Sequence, residues 1–267
     1  MESILGHADT APYIDTAPTP WRLLRRALLW MLFAIVTVLV VALSPTVIDG
    51  SLRVIAVLRH HKPNPPADFS AFMPYSAIAL QVVLLWGAIR GARVSRPGNL
   101  AAGLANRPVS RRGLVAVFAV LMVAWDAAAI GILGWIVTHG GHAPTLPSQI
   151  ATMPSDVAVA VIHIVFLAVL APVAEELFFR GWLWTALRTT WSPARTMAWT
   201  TGLWLAMHFM DGAGRALFLL PTGILLGLAR HHGDSVRASL ILHLINNGLV
   251  VLVQLAALLL AGHSAPA

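Results

Sequence analysis

Residues 157–187 read VAVAVIHIVFLAVLAPVAEELFFRGWLWTAL, and this stretch decides the fold that the sequence predicts. At about 1.5 Å per residue, a helix over this stretch is longer than the roughly 30 Å hydrocarbon core of a bilayer. The stretch nevertheless carries Glu175, Glu176 and Arg180. An ionisable side chain at membrane depth costs about 2.5 to 3.5 kcal/mol, so each of these needs a partner or a function. We therefore predict a membrane-spanning helix with a polar site inside the protein.

The composition of the whole chain agrees with a membrane protein. Of its 267 residues, 58% are hydrophobic and 11% are charged, and the mean hydropathy is +0.76. Soluble domains carry about 25% charged residues, so a soluble fold is excluded. The chain has no Cys. This excludes a disulfide scaffold, a thiolate metal site and a Cys nucleophile.

Six further apolar stretches lie before and after residues 157–187, which makes about seven predicted spans. The predicted fold is all-α, a polytopic bundle of transmembrane helices. In chain order, the seven spans are Ala27–Ile48, Phe72–Ile89, Leu114–Thr138, Val157–Leu187, Arg195–Met210, Arg215–Arg230 and Val236–Gly262. The fifth and sixth are short, and either is a candidate for partial insertion.

The net charge of +7 comes from basic residues that lie between the apolar stretches, which indicates membrane topology rather than nucleic acid as a partner. Positive loops are retained in the cytoplasm, which places the N-terminus inside and the Arg-free loop 140–155 outside. Arg53, Arg59 and Lys62 oppose this orientation. We predict a multi-pass protein of the cell membrane, and the strong preference for Arg over Lys favours a bacterial inner membrane. The residues that this orientation places inside are Arg22, Arg25, Arg26, Arg90, Arg93, Arg96, Arg107, Arg111, Arg112, Arg188, Arg195, Arg230 and Arg237.

Helix geometry separates the two glutamates of the fourth span. Glu176 and Arg180 are four residues apart and share a face, so they can pair, whereas Glu175 points about 100° away. Pro172 removes the helical hydrogen bond to the carbonyl of Ala168, which predicts a kink and a restarted helix. A buried ion pair that only holds helices together is the alternative interpretation.

Two further spans carry polar pairs with the same spacing. Trp204 and His208 share one helix face, and His243 and Asn247 share another. A single His on an apolar helix is more often a core residue than a ligand. Two such His, an Asn and the unpaired Glu175, placed on three spans at similar depths, favour a convergent polar site.

These three motifs together resemble those of the CPBP intramembrane proteases, also called the CAAX protease, bacteriocin-processing or Abi family, and are similar to the type II CAAX prenyl endopeptidases. The resemblance covers about 171–247 and includes the glycine-bearing stretch 218–227. Trp204 stands where many relatives carry Phe, and we expect this departure to alter packing more than chemistry. The motifs are Glu175-Glu176-x-x-x-Arg180, Trp204-x-x-x-His208 and His243-x-x-x-Asn247.

The resemblance implies an intramembrane endopeptidase that cleaves a membrane-associated protein or peptide. In such an enzyme, Glu175 and His208 activate the attacking water, and His243 and Asn247 stabilise the oxyanion. Hydrogen-bond donors that are already in place stabilise the negative charge of the transition state most strongly in a site without water.

The resemblance further implies that Glu176 and Arg180 support the site. Whether a metal takes part is left open by the residues. Zinc held by Glu175, His208 and His243 is one alternative. The chain lacks a His-Glu-x-x-His motif and Asn is a poor zinc ligand, so we favour metal-free catalysis.

The resemblance divides the chain into a polar tail (1–20), three N-terminal spans (21–155), a CPBP-like catalytic membrane domain (156–262) and a short tail (263–267). Two other functions are compatible with a buried polar cluster. One is a proton-coupled transporter, and the other is a non-catalytic membrane scaffold. Asp126 in the third span belongs to none of the motifs, and we expect a hydrogen-bonded core role for it.

Overall fold

The computed structural model describes residues 19–59, 61–62, 73–139, 157–209 and 213–263. Within these ranges the chain is helical, and no strand occurs. The predicted tails, apart from Thr19, Pro20 and His263, and the loop 140–155 lie outside them. The helices are α1 (Pro20–Leu58), α2 (Met73–Ser95), α3 (Leu100–Gly103), α4 (Arg112–Thr138), α5 (Val157–Leu187), α6 (Pro193–His208), α7 (Ala213–Gly233) and α8 (Val236–His263).

Six of these helices are long and apolar enough to cross a membrane, namely α1, α2, α4, α5, α7 and α8. The all-α multi-pass membrane fold is therefore confirmed. The count of about seven spans is not confirmed, because the predicted fifth span corresponds to α6, a helix of only 16 residues. At about 1.5 Å per residue it extends about 24 Å, which is less than the hydrocarbon core. Met210, the predicted end of that span, lies outside the described residues. The orientation of the bundle stays a prediction.

Local sequence explains where the helices begin. α1 starts at Pro20, which needs no backbone N–H in the first turn, and Thr19 Oγ1 accepts from the Arg22 amide at 3.4 Å. α6 starts in the same way, with Pro193 in its first turn and Ser192 Oγ accepting from the Arg195 amide at 3.3 Å. Ser192 and Pro193 thereby make α6 a new helix rather than a continuation of α5.

α5 alternates between two helical forms. It is α-helical over Val157–Val165, Ala171–Glu175 and Trp184–Leu187, and π-helical over Phe166–Leu170 and Glu176–Leu183. Pro172 lies in the first turn of the middle α-helical segment, so α5 continues through the predicted interruption and resumes α-helical bonding there. π-Helical turns are rare and occur often at functional sites. Here they directly precede and follow the segment that ends in Glu175.

α5 lies in the middle of the bundle, between α2 and α8, and supplies several of its large buried aromatic side chains. Phe178 and Phe179 have no exposed surface, and Trp182 is 2% exposed. The rings of Phe178 and Trp182 meet edge to face with their centroids 5.2 Å apart. α2 comes close because Gly91 faces the Trp182 indole, where an added Cβ would lie 2.2 Å from Cε2. The charged residues of α5 are therefore enclosed by protein.

α6 and α7 approach each other through two glycines of the stretch 218–227. A Cβ on Gly223 would lie 2.9 Å from Thr201 Cγ2 and 3.1 Å from Trp204 Cζ3. A Cβ on Gly227 would lie 2.6 Å from Met197 Cγ. The Gly223 carbonyl also accepts a hydrogen bond from Thr201 Oγ1 at 3.2 Å. These glycines set the position of α6.

We expect Gly223→Ala to destabilise the protein by about 1–3 kcal/mol, because overpacking forces neighbouring side chains out of position. Thr201→Ser removes the methyl group that the new Cβ meets and keeps the hydroxyl donor, so the double variant should regain part of the loss. Gly202→Ala is the matched control, since nothing lies within 4 Å of its added Cβ. Free energies of unfolding in mixed micelles measure all three. Equal stability of Gly223→Ala and Gly202→Ala would contradict the close approach.

Candidate active site

The glutamate and arginine of α5 form a fully enclosed ion pair. Arg180 Nη1 donates to Glu176 Oε1 at 3.1 Å, and neither side chain is exposed. Arg180 Nη2 lies 3.5 Å from the carbonyl oxygen of Gly223, and the guanidinium carbon is 5.1 Å from the centre of the Trp204 ring. The pairing that the spacing predicts is present, and it ties α5 to α6 and α7.

Glu175 points to a different set of neighbours, as helix geometry predicts. Its Oε1 accepts from Gln81 Nε2 at 3.0 Å, and its Oε2 accepts from Trp204 Nε1 at 2.6 Å. The side chain is 7% exposed. A carboxylate held by one donor on each oxygen has little rotational freedom. α2 and α6 together therefore fix its orientation.

His243 of α8 lies between the two glutamates. Its Nδ1 is 3.0 Å from Glu176 Oε1, and its Nε2 is 4.0 Å from Glu175 Oε2. An ionised carboxylate only accepts hydrogen bonds, so Nδ1 carries a proton and the Glu176–Arg180 pair orients the ring. His243 Nε2 is thereby directed toward the Glu175 carboxylate.

His208, at the end of α6, is half-buried and joins the cluster through Trp204. The two rings have centroids 4.5 Å apart, and His208 Nδ1 lies 2.9 Å from the Trp204 carbonyl oxygen. A carbonyl only accepts, so Nδ1 carries the proton and the neutral ring presents a lone pair at Nε2. The Trp204 ring also lies 5.8 Å from that of His243, edge to face. Trp204 thus connects both histidines with Glu175.

The structure places Asn247 beside the first π-helical segment of α5. Its Nδ2 donates to the carbonyl oxygen of Leu167 at 2.8 Å. The neighbouring Asn246 donates through Nδ2 to Asn247 Oδ1 at 2.9 Å, and the other end of its amide lies 3.2 Å from Asp126 Oδ1. Asp126 is buried, and a hydrogen-bonded core role for it stays a prediction. The contact of Asn247 with Leu167 is separate from those that join the glutamates, Arg180 and the histidines.

The zinc alternative requires Glu175, His208 and His243 to surround one ion. Both oxygens of Glu175 already accept hydrogen bonds, from Gln81 and Trp204. Across the described ranges, no group of three or more His, Asp or Glu is arranged to hold a metal ion. As placed, these three side chains do not form such a group, and the preference for metal-free catalysis stays a prediction.

Sequence reasoning missed one member of this site and misjudged another. Gln81 lies in α2, 94 residues before its partner, and nothing in the motifs points to it. A single buried Gln in the apolar stretch of α2 is a signal that would have marked it as a polar contact. Trp204 was expected to influence packing, whereas it donates a hydrogen bond to Glu175.

Six candidate spans and an enclosed cluster of carboxylate, imidazole and guanidinium groups define a polytopic membrane protein with a buried polar site. Residues 157–249 match a family model described as type II CAAX prenyl endopeptidase Rce1-like. No curated protein matches the chain, and no solved structure does. The match confirms the resemblance predicted from the motifs and supports a membrane protease. It includes every predicted site residue but neither Gln81 nor Asp126.

Proposed function

We propose that this protein is an intramembrane endopeptidase that hydrolyses a peptide bond of a membrane-associated protein or peptide. The observation that carries the proposal is the position of Glu175. Its carboxylate is fixed by Gln81 and Trp204 and lies 4.0 Å from an oriented His243 imidazole, inside a membrane bundle. The family match to residues 157–249 supports the same class of reaction.

Glu175 and His208 are proposed to activate the attacking water. The lone pair on His208 Nε2 can accept a proton, because Nδ1 is committed to the Trp204 carbonyl. The Glu175 carboxylate can accept a second hydrogen bond from the same water, since each oxygen has two lone pairs. A positioned general base contributes about 10²–10⁴-fold to the rate.

His243 and Asn247 are proposed to stabilise the oxyanion that forms on the scissile carbonyl. This role requires the doubly protonated imidazolium of His243, whose Nε2–H would then donate. Asn247 Nδ2 donates one hydrogen to the Leu167 carbonyl, and its second hydrogen can donate to the substrate. Loss of one such donor typically lowers kcat by about 10²–10³-fold. Glu176 and Arg180 support the site because they orient His243.

The experiment uses the purified full chain in proteoliposomes with a library of membrane-tethered peptides, each offered with and without a prenyl group. Mass spectrometry of the new termini shows which bond is cleaved, and His208→Ala is the comparison. A proton-sensitive dye inside the vesicles tests the transporter alternative. Cleavage by the wild type and its loss in His208→Ala support the proposal. Proton flux without cleavage, or neither activity, would reject it in favour of a transporter or a scaffold.

Gln81 provides a test that lies outside the matched segment. We expect Gln81→Leu to lower kcat about 10- to 100-fold, because a hydrogen bond to a charged group is worth about 1.5–3 kcal/mol. KM should change little, since Gln81 contacts Glu175 rather than substrate. Val82→Ala is the control on the same helix, at a residue that is 53% exposed. Equal kcat values for the two variants would show that Glu175 does not depend on α2.

A further inference from the structure

A polar cavity of about 1100 Å³ lies at one end of the bundle, separate from the site around Glu175. The ends of α2, α5 and α7 and the segment between α2 and α4 form its walls. This is the Arg-rich end that the sequence predicts to face the cytoplasm. The ionisable residues that line the cavity are Arg96, Arg107, Arg188, Arg230, His231 and Asp234.

Arg230 is built into the wall of this cavity. Its side chain is 4% exposed, its Nε donates to the Arg180 carbonyl at 2.8 Å, and its Nη2 donates to Thr185 Oγ1 at 3.2 Å. The guanidinium also lies over the Trp184 ring, 5.5 Å from its centre. Nη1 is 3.9 Å from Asp234 Oδ1, which is too far for a hydrogen bond. The Nε and Nη2 groups of Arg230 are thus fixed by hydrogen bonds to the protein, and Nη1 remains to bind a ligand.

The cavity carries more positive than negative charge. Four guanidinium groups line it against the single carboxylate of Asp234. That carboxylate is engaged by Arg107 Nη2 at 2.5 Å. Arg188 bonds the Trp191 carbonyl through Nη1, and Arg96 is exposed. Guanidinium groups bind phosphate through paired, planar hydrogen bonds, so the cavity suits a phosphate-bearing anion.

We propose that this cavity binds the phosphate of an anionic phospholipid headgroup. Its volume is that of a site for a small organic ligand and is larger than a bare ion needs. Its position at the helix ends, with Trp184 in its wall, is the depth at which headgroups lie. The proposal does not depend on peptidase activity.

The test uses the full chain in a nonionic detergent and three probes, which are dihexanoyl phosphatidylglycerol, dihexanoyl phosphatidylcholine and inorganic phosphate. Arg96→Gln/Arg188→Gln removes two cavity charges. Arg93→Gln/Arg112→Gln removes two charges at the same end of the bundle but outside the cavity. We expect the Kd for phosphatidylglycerol to rise about 30-fold in the cavity variant and only about threefold or less in the control.

The probes separate the two sources of phosphate. Tight binding of phosphatidylglycerol that inorganic phosphate displaces only weakly assigns the site to a lipid. Equally tight binding of inorganic phosphate, lost in the cavity variant, assigns it to a soluble phosphate instead. Equal weakening in both double variants, or equal affinity for phosphatidylcholine, overturns the proposal. Arg96→Glu gives the same readout if loss of the Arg188 contact with Trp191 unfolds the double variant.

Discussion

Glu175→Gln is expected to lower kcat for peptide cleavage by about 10²–10⁴-fold, which is the contribution of a positioned general base. The substitution removes the negative charge and keeps the shape of the side chain. The fold should tolerate it for a specific reason. Gln81 Oε1 is a buried acceptor without a hydrogen-bond partner among the described residues. After the Gln81 amide rotates by half a turn, this oxygen can accept from the new amide.

Stability measurements separate chemistry from folding in this variant. Because the hydrogen bonds can be restored, we expect the unfolding midpoint of Glu175→Gln to stay close to that of the wild type. Asp126→Asn is the matched control, a carboxylate-to-amide change in the bundle outside the proposed mechanism, and it should retain most of the activity. Wild-type kcat in Glu175→Gln would remove Glu175 from the proposed mechanism.

Glu176→Gln is expected to destabilise the protein by about 3–5 kcal/mol, the usual cost of leaving one charge of a buried pair without its partner. Arg180 has no exposed surface, so it cannot reach water for compensation. Glu176→Gln/Arg180→Met removes both charges at similar volume and should regain most of the stability. It should stay inactive, because His243 loses the carboxylate that orients it. Denaturant titration in mixed micelles gives these free energies.

The surface pair of α1 is the control for this experiment. Asp49 and Arg53 have the same spacing as Glu176 and Arg180, but they are 4.0 Å apart and partly exposed. Asp49→Asn should therefore cost no more than about 0.5 kcal/mol. If Glu176→Gln costs as little as Asp49→Asn, the enclosure of the α5 pair is wrong. If the double variant is no more stable than the single one, an unpaired charge is not the cause of the loss.

Local geometry made part of the site predictable. A spacing of four residues determines which side chains share a helix face, so the pairing of Glu176 with Arg180 and of Trp204 with His208 follows from sequence. The divergence of Glu175 follows from the same rule. The apolar stretches likewise predict most of the spans, because length and composition alone decide whether a helix can cross a bilayer.

The contacts between helices were not predictable in this way. The hydrogen bond between Gln81 and Glu175 depends on how α2 packs against α5, and that packing depends on Gly91 and Trp182. The amide of Asn247 contacts the carbonyl of Leu167, which lies in the first π-helical segment of α5. No periodicity in the sequence predicts either feature. Such contacts arise from tertiary packing and not from spacing along the chain.

The hydrogen bond from Gln81 has a consequence for protein engineering. The donor lies in α2, whereas the matched segment begins at residue 157. A shortened protein that keeps only the matched segment would lose one of the two anchors of Glu175. A chimera that takes this segment from a homologue would combine it with the α2 of the present protein, which packs against a different sequence. Grafting experiments should therefore transfer α2 together with the matched segment, or restore a Gln at the facing position.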